Sequence, residues 1–404
     1  MTSRERVLAA LAFQETERVP MDLGGMPSTC ISCFAYPRLV AELGLPPRPP
    51  RVYDTGQMLA LPDLDVLDAL NCDVVTADLE ISNAYENPAL WKPFDFGGRL
   101  PALVRNPQHF SVQPDGTVLQ PVNNSKMPPD AHVFDTEHAG QFVSLEGDIP
   151  KPDLDALRRE GRNALPTDAQ VRAAAEHLRR VRESTDRAVL FCGPGAGLGI
   201  ANFTGLAMFP MLCLTEPDFV HELHETVIEF AIARMEAYLV EVHPYIDVYQ
   251  CCSDDWGTQL STIAAPQVYH DLFKPYYRRF TGAIHAIAPE VKTFLHSCGA
   301  IYDILDDVID SGFDVLNPVQ WTAGGHGYRE WKDKCRGRIA LWGGGVNAQE
   351  TLPLGTPEEV AREATEITRY LRNDGGFVFN SIHNILAEVP ARNVVAMYRA
   401  AARA

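Results

Sequence analysis

Val291-Lys-Thr-Phe-Leu-His296-Ser-Cys298-Gly299 sets largely apolar and β-branched residues ahead of a histidine, a cysteine and a glycine. The pattern predicts a short buried strand ending in two metal-ligand side chains. Side chains alternate faces along a strand, so His296 and Cys298 point the same way. Parallel α/β folds gather their chemistry where strand gives way to loop. An imidazole and a thiolate aimed at one point suit a borderline divalent ion, zinc first. The same H-x-C also occurs as a packed strand end with a hydrogen-bonded histidine and a buried free thiol. The other strand ends decide between these readings.

Working outward, seven further stretches read as strands: Arg18–Gly25, Asn71–Ala77, Ala188–Gly193, Ile246–Cys252, Asp314–Pro318, Arg338–Gly345 and Gly376–His383. Helical patterns cover 3–13, 63–70, 167–184, 266–287, 301–311, 327–334 and 391–402. Another runs over 217–240, with Thr215 as N-cap and Pro217 in its first turn, and Thr356-Pro-Glu-Glu359 opens one more with a capping box. Eight β/α units predict an α/β protein of the (β/α)8 TIM-barrel type. The competing architecture, an open doubly wound sheet, usually carries a phosphate-binding turn. Gly193-Pro-Gly195-Ala-Gly197-Leu-Gly199 offers no G-x-G-x-x-G register. It is expected to be a loop whose backbone passes close to something, a ligand among the choices. The stretch 87–150 is rich in Pro, Gly, Asn and Asp, with a turn signal at Asp115-Gly116. It reads as a loop and hairpin region inserted after the second strand of a single domain spanning 1–404.

A chain of 404 residues with 46% hydrophobic content can bury a large core. Its formal charge of -18 would repel a nucleic-acid backbone or an anionic membrane. The first residues lack the apolar core of a signal peptide, and no apolar run approaches the roughly 20 residues of a membrane helix. Nine cysteines, an odd set with no repeated C-x-x-C pairs, mostly read as buried thiols of a reduced, cytoplasmic protein.

Asp254 and Asp255 close the fourth strand, where a carboxylate can orient a substrate, move a proton or order a metal's ligands; an N-cap pair is the plainer alternative. His383, on the face shared by Ser381, Phe379 and Phe377, is either a third ligand reaching across the mouth or a hydrogen-bonded histidine with no metal. Asn317 and Gln320 close the sixth strand as candidate substrate-binding amides, joined by Trp342 at the end of the seventh. His177, His221 and His224 fall on helices and read as surface or packing residues. Neither G-x-S-x-G nor H-E-x-x-H occurs, which leaves hydrolase chemistry without support.

As a set, Arg4-Glu-Arg-Val-Leu-Ala-Ala-Leu, Glu17-Arg-Val-Pro, Asp254-Asp-Trp-Gly-Thr-Gln, Phe294-Leu-His-Ser-Cys-Gly, Leu316-Asn-Pro-Val-Gln, Trp342-Gly-Gly-Gly and Ser381-Ile-His-Asn resemble the uroporphyrinogen decarboxylase superfamily across nearly the whole chain. The resemblance implies a TIM barrel. True decarboxylases carry an arginine-rich Met-Arg-Gln-Ala-Gly-Arg motif after the first strand. Here the corresponding stretch is Met21-Asp-Leu-Gly-Gly-Met-Pro, with no arginine before Arg38. The chain is therefore more similar to the methyltransferase branch, which moves methyl groups between a small substrate and a corrinoid carried by a partner protein.

That branch implies a zinc site of H-x-C plus a distant cysteine near the last strand. His296 and Cys298 match, but no cysteine follows Cys335. Either His383 or a carboxylate then supplies the third ligand, or the metal is weakly bound or absent. The resemblance thus implies a Zn2+-dependent methyltransferase using His296, Cys298 and His383, with Asp255 and Asp254 as candidate catalytic residues. A metal-independent decarboxylase or lyase using an aspartate, and a non-catalytic tetrapyrrole- or corrinoid-binding protein, stand as alternatives.

Overall fold

The computed structural model describes residues 1–122, 124–135 and 149–404. Seven parallel strands form one curved sheet: β1 (Val74–Ala77), β2 (Ala188–Phe191), β3 (Val248–Ser253), β4 (Lys292–His296), β5 (Val315–Asn317), β6 (Ala340–Trp342) and β7 (Phe377–Val378), hydrogen-bonded in chain order. The eighth position is taken by the segment around Met21, which bridges Phe379 in parallel. Asp22 N donates to Phe379 O (2.9 Å), Phe379 N to Pro20 O (2.8 Å) and Asp73 N to Met21 O (2.7 Å). These bonds join β7 to β1 through the segment and close the (β/α)8 barrel, so the open-sheet alternative falls. The closing segment is short for a local reason. Pro20 has no N–H to give, and Gly24, at φ 83°, turns the chain away.

The closure is anchored from below. Asp73, fully buried, takes Arg6 Nη1 at 2.5 Å, Arg18 Nη1 at 2.6 Å and Met21 N at 3.0 Å.

Side-chain alternation sorts the strands into an inner and an outer face. Val74, Leu190, Val248, Phe294, Val315, Trp342 and Val378 pack inside the barrel, with Val7 and Leu11 of the Ser3–Leu11 helix plugging one end. Leu295, Leu316, Leu341 and Phe377 point outward under the helices. By the same alternation His296 shares the inner face with Phe294, and Asn317 shares it with Val315.

The helices fall close to expectation: Asp168–Glu183, Tyr328–Cys335, Ala391–Ala401, and Pro357–Leu371 behind the Thr356–Glu359 capping box. One boundary differs. Thr215 is the last residue of a helix, Gly205–Thr215, and its hydroxyl bonds Met211 O, while Glu216 caps Pro217–Val242. That preceding helix lies in a stretch apolar all round, so no face stands out in its sequence.

Between β1 and β2, Lys92–Asp95 pairs antiparallel with Pro101–Val104, and Ser111–Val112, Val118–Gln120 and Ser125–Met127 form a second small sheet around the Asp115-Gly116 turn. Residues 123 and 136–148 of the stretch 87–150 lie outside the described residues. Among the described residues no helix is long and apolar enough to cross a membrane.

Candidate functional site

Two adjacent strand ends carry most of the site, and their loops are fused. Asp254 N donates to His296 O (2.9 Å), Gly257 N to Cys298 O (3.1 Å), and Ala300 N to Thr258 O (2.8 Å). A methyl group at Gly257 would sit 2.2 Å from Ala300 N, and one at Gly299 2.2 Å from Gly257 O. Only glycine permits the crossing, and Gly299 also has φ +83°.

The crossing places Asp255 beside both predicted ligands of β4. Its Oδ1 accepts from Cys298 N at 3.0 Å and stands 3.4 Å from His296 Nε2. Burial pushes the Asp255 carboxyl up, but the His296 ring when protonated, and the Cys298 amide, outweigh it and hold it well below the usual carboxylate range. Burial, and then the Asp255 charge, raise the Cys298 thiol to about 12.

His383 arrives by a route that strand alternation does not give. β7 ends at Val378, and Phe377 and Phe379 belong to the outer face, so the predicted shared face with them does not place His383. The chain turns after Phe379, and His383 enters the mouth in the left-handed region at φ 63°. Its ring centroid lies 5.2 Å from that of His296. Burial, and then His296, lower its pKa to about 4. His383 Nδ1 accepts from Asn384 N (2.9 Å) and has Asn384 Oδ1 at 2.8 Å.

One donor atom each from His296, Cys298 and His383 therefore lies within 4.8 Å of the others. Donors around a tetrahedral ion at about 2.0–2.3 Å would be roughly 3.5 Å apart, so a closure of about 1 Å completes the triangle. Two imidazoles and a thiol on a partly buried rim next to an ionised carboxylate fit a borderline divalent cation.

The profile of the family "Uroporphyrinogen decarboxylase (URO-D)" matches residues 141–404, well over half the chain. The chain belongs to the URO-D family. A curated uroporphyrinogen decarboxylase from Syntrophotalea carbinolica is 25% identical over 252 residues, which cover 60% of this chain and 66%, just under two thirds, of that relative. Among solved structures, a methyltransferase from Methanosarcina mazei superposes with a TM-score of 0.57 at 17% identity, covering 99% of this chain and 98% of its own. That likeness is one of fold.

Within this URO-D barrel the remaining predicted residues divide by environment. Asp254 is turned inward, 3% exposed, and accepts from Ile200 N (2.8 Å), Trp256 Nε1 (2.6 Å) and Tyr277 Oη (2.5 Å). Burial raises it to about 6 against those bonds. Trp342 is fully buried, edge-on to Phe294, with its indole N–H on Asp22 Oδ2 at 2.9 Å. Asn317 is also fully buried, bonded to His296 on one side and Trp342 O on the other. Gln320 is half-buried; its Oε1 accepts from Gly299 N at 2.8 Å, which leaves its NH2 free to donate.

Three contributors carried no signal of their own in the sequence: Tyr277 and Trp256, which hold Asp254, and Asp22, which holds Trp342. The Asp22 position at a strand end was the available hint. The glycine run 193–199 passes close to protein: a methyl group at Gly195 would meet Cys251 O at 2.9 Å, and Ala196 N bonds that same carbonyl. His224 is buried and packs with Nδ1 2.7 Å from Leu272 O, whereas His221 is an exposed surface residue with Nδ1 2.9 Å from Tyr276 Oη.

Proposed function

We propose that this chain, on a single domain spanning 1–404, is a zinc-dependent methyltransferase that moves a methyl group between a small methylated substrate or thiol and a corrinoid held by a partner protein. The observation that carries the reading is the convergence of His296, Cys298 and His383 within 4.8 Å at the barrel mouth. The missing arginine cluster after the Met21 segment weighs on the same side, because a porphyrinogen's acidic side chains need cations. The M. mazei methyltransferase lends its reaction class to the reading through a shared fold.

When bound, zinc supplies Lewis acidity at the substrate heteroatom and favours a thiolate at neutral pH. The chain's own residues do the rest. Cys298 would hold the metal as a thiolate, its proton passing to solvent, and Asp255, half-exposed, orders the Cys298 amide and the His296 ring beside it. The Gln320 NH2 offers a donor to a polar substrate. Asp254, committed to three internal donors, keeps the loop in shape.

Metal analysis of protein purified under reducing, chelator-free conditions tests the proposal. The expected result is about one zinc per chain, lost in His296→Ala and Cys298→Ser. Wild-type protein without stoichiometric metal would defeat it. Activity surviving both chelation and the Cys298 change would favour the lyase reading.

A further inference from the structure

The Asn317 amide is fixed at both ends. Its Nδ2 donates to the backbone carbonyl of Trp342 at 2.9 Å, and a carbonyl can only accept. The other end, Oδ1, therefore faces His296 Nδ1 at 2.5 Å, so the proton between them belongs to the imidazole. Flipping the amide would set oxygen against oxygen at Trp342, which fixes Oδ1 on the His296 side. Both residues are essentially shut off from water, at 0% and 2% exposure, so no solvent exchange relaxes this constraint. Trp342 is itself immobilised by Asp22 and Phe294. A neutral His296 so held has a bare lone pair on Nε2, 3.4 Å from the Asp255 carboxylate. Lone pair against carboxylate is repulsive unless a cation or a proton stands between them. His383 differs, because Asn384 offers its Nδ1 both a donor and an acceptor.

We infer that Asn317 is a positioning residue that locks His296 as the Nδ1–H tautomer, presenting Nε2 to a divalent cation, and does not bind substrate. The use of that lone pair rests on the metal-site reading above; the tautomer does not. His296 is the preorganised ligand and His383 the adaptable one, so the site assembles from the His296 side.

Long-range proton–nitrogen correlation spectra of metal-free, 15N-histidine-labelled protein at mildly alkaline pH read the tautomer directly, with His296 assigned by its loss in His296→Gln. The Nδ1–H pattern is expected, and an Nε2–H pattern overturns the inference, whether or not zinc binds. Zinc competition against a chromophoric chelator gives the second readout. Asn317→Leu should weaken affinity by roughly 10–100-fold. Asn317→Asp keeps an acceptor on Nδ1 and should stay within a few-fold of wild type. Equal weakening in both variants, or none in either, overturns the inference. Should Asn317→Leu fail to fold, the wild-type spectrum and the Asp variant decide. A wild type that shows the Nδ1–H pattern yet binds no zinc would sink the methyltransferase reading and leave the tautomer standing.

Discussion

His296 and His383 face each other with ring planes inclined at 69°, although β5 and β6 lie between β4 and β7 in the barrel wall. Their meeting turns a two-ligand strand end into a three-donor rim. His383 sits at φ 63°, held there by Ser381 Oγ on its carbonyl (2.6 Å) and by Asn384 N on its Nδ1 (2.9 Å).

If His383 is the third ligand, His383→Ala should lower zinc affinity by more than the roughly 10–100-fold that losing an outer partner costs. His383→Cys should recover much of it by supplying a thiolate. Chelator competition measures both. An alanine variant with unchanged affinity would leave the third position to a carboxylate.

The two adjacent aspartates should separate cleanly. Asp254→Asn puts an amide N–H2 among the donors of Ile200, Trp256 and Tyr277, and should cost about 1–3 kcal/mol in urea unfolding. Asp255→Asn, half-exposed, should unfold like wild type while losing methyl-transfer rate. The reverse pattern would exchange their roles.

Asp73 sits with no exposed side-chain surface between Arg6 and Arg18 and fixes Met21 N at the barrel seam. Asp73→Ala leaves two guanidinium groups without their buried partner. The expected loss is about 3–5 kcal/mol, read from denaturant midpoints at constant slope.

His224 makes stability depend on pH. Burial lowers it from 6.5 to about 4, so between those values the unfolded chain binds a proton that the folded chain refuses. Stability is therefore fully present above about pH 6.5 and falls as the pH drops through 4. The carboxylates titrate too, but His224→Phe, in an aromatic surround of Phe209, Phe273 and Tyr276, should flatten this part of the slope. Parallel wild-type and variant curves from pH 4 to 7 would refute it.

Strand ends were the legible part of this molecule. Alternation along 291–299 and turn residues after each apolar run located all eight barrel positions and the residues His296, Cys298 and Asp255. What stayed hidden depends on contacts between distant residues. Asp254 and Asp255 are chemically identical in sequence, and only Tyr277 and Trp256 make one of them internal. Asn317 looked like a substrate amide because Trp342 O, its partner, is a backbone atom with no signature in the side-chain pattern. The helix Gly205–Thr215 was obscured by Pro210 and by an apolar surround without a period.

The glycine crossing between Gly257 and Gly299 has a consequence for how this barrel can diversify. The Asp255 loop and the Cys298 loop are interlocked, so neither can lengthen, tilt or exchange residues without displacing the other. Variation is channelled to the rim segments outside the lock, such as the half-exposed Leu386 turn that follows His383. A shift in either loop is passed to the other, so this side of the mouth moves as one piece.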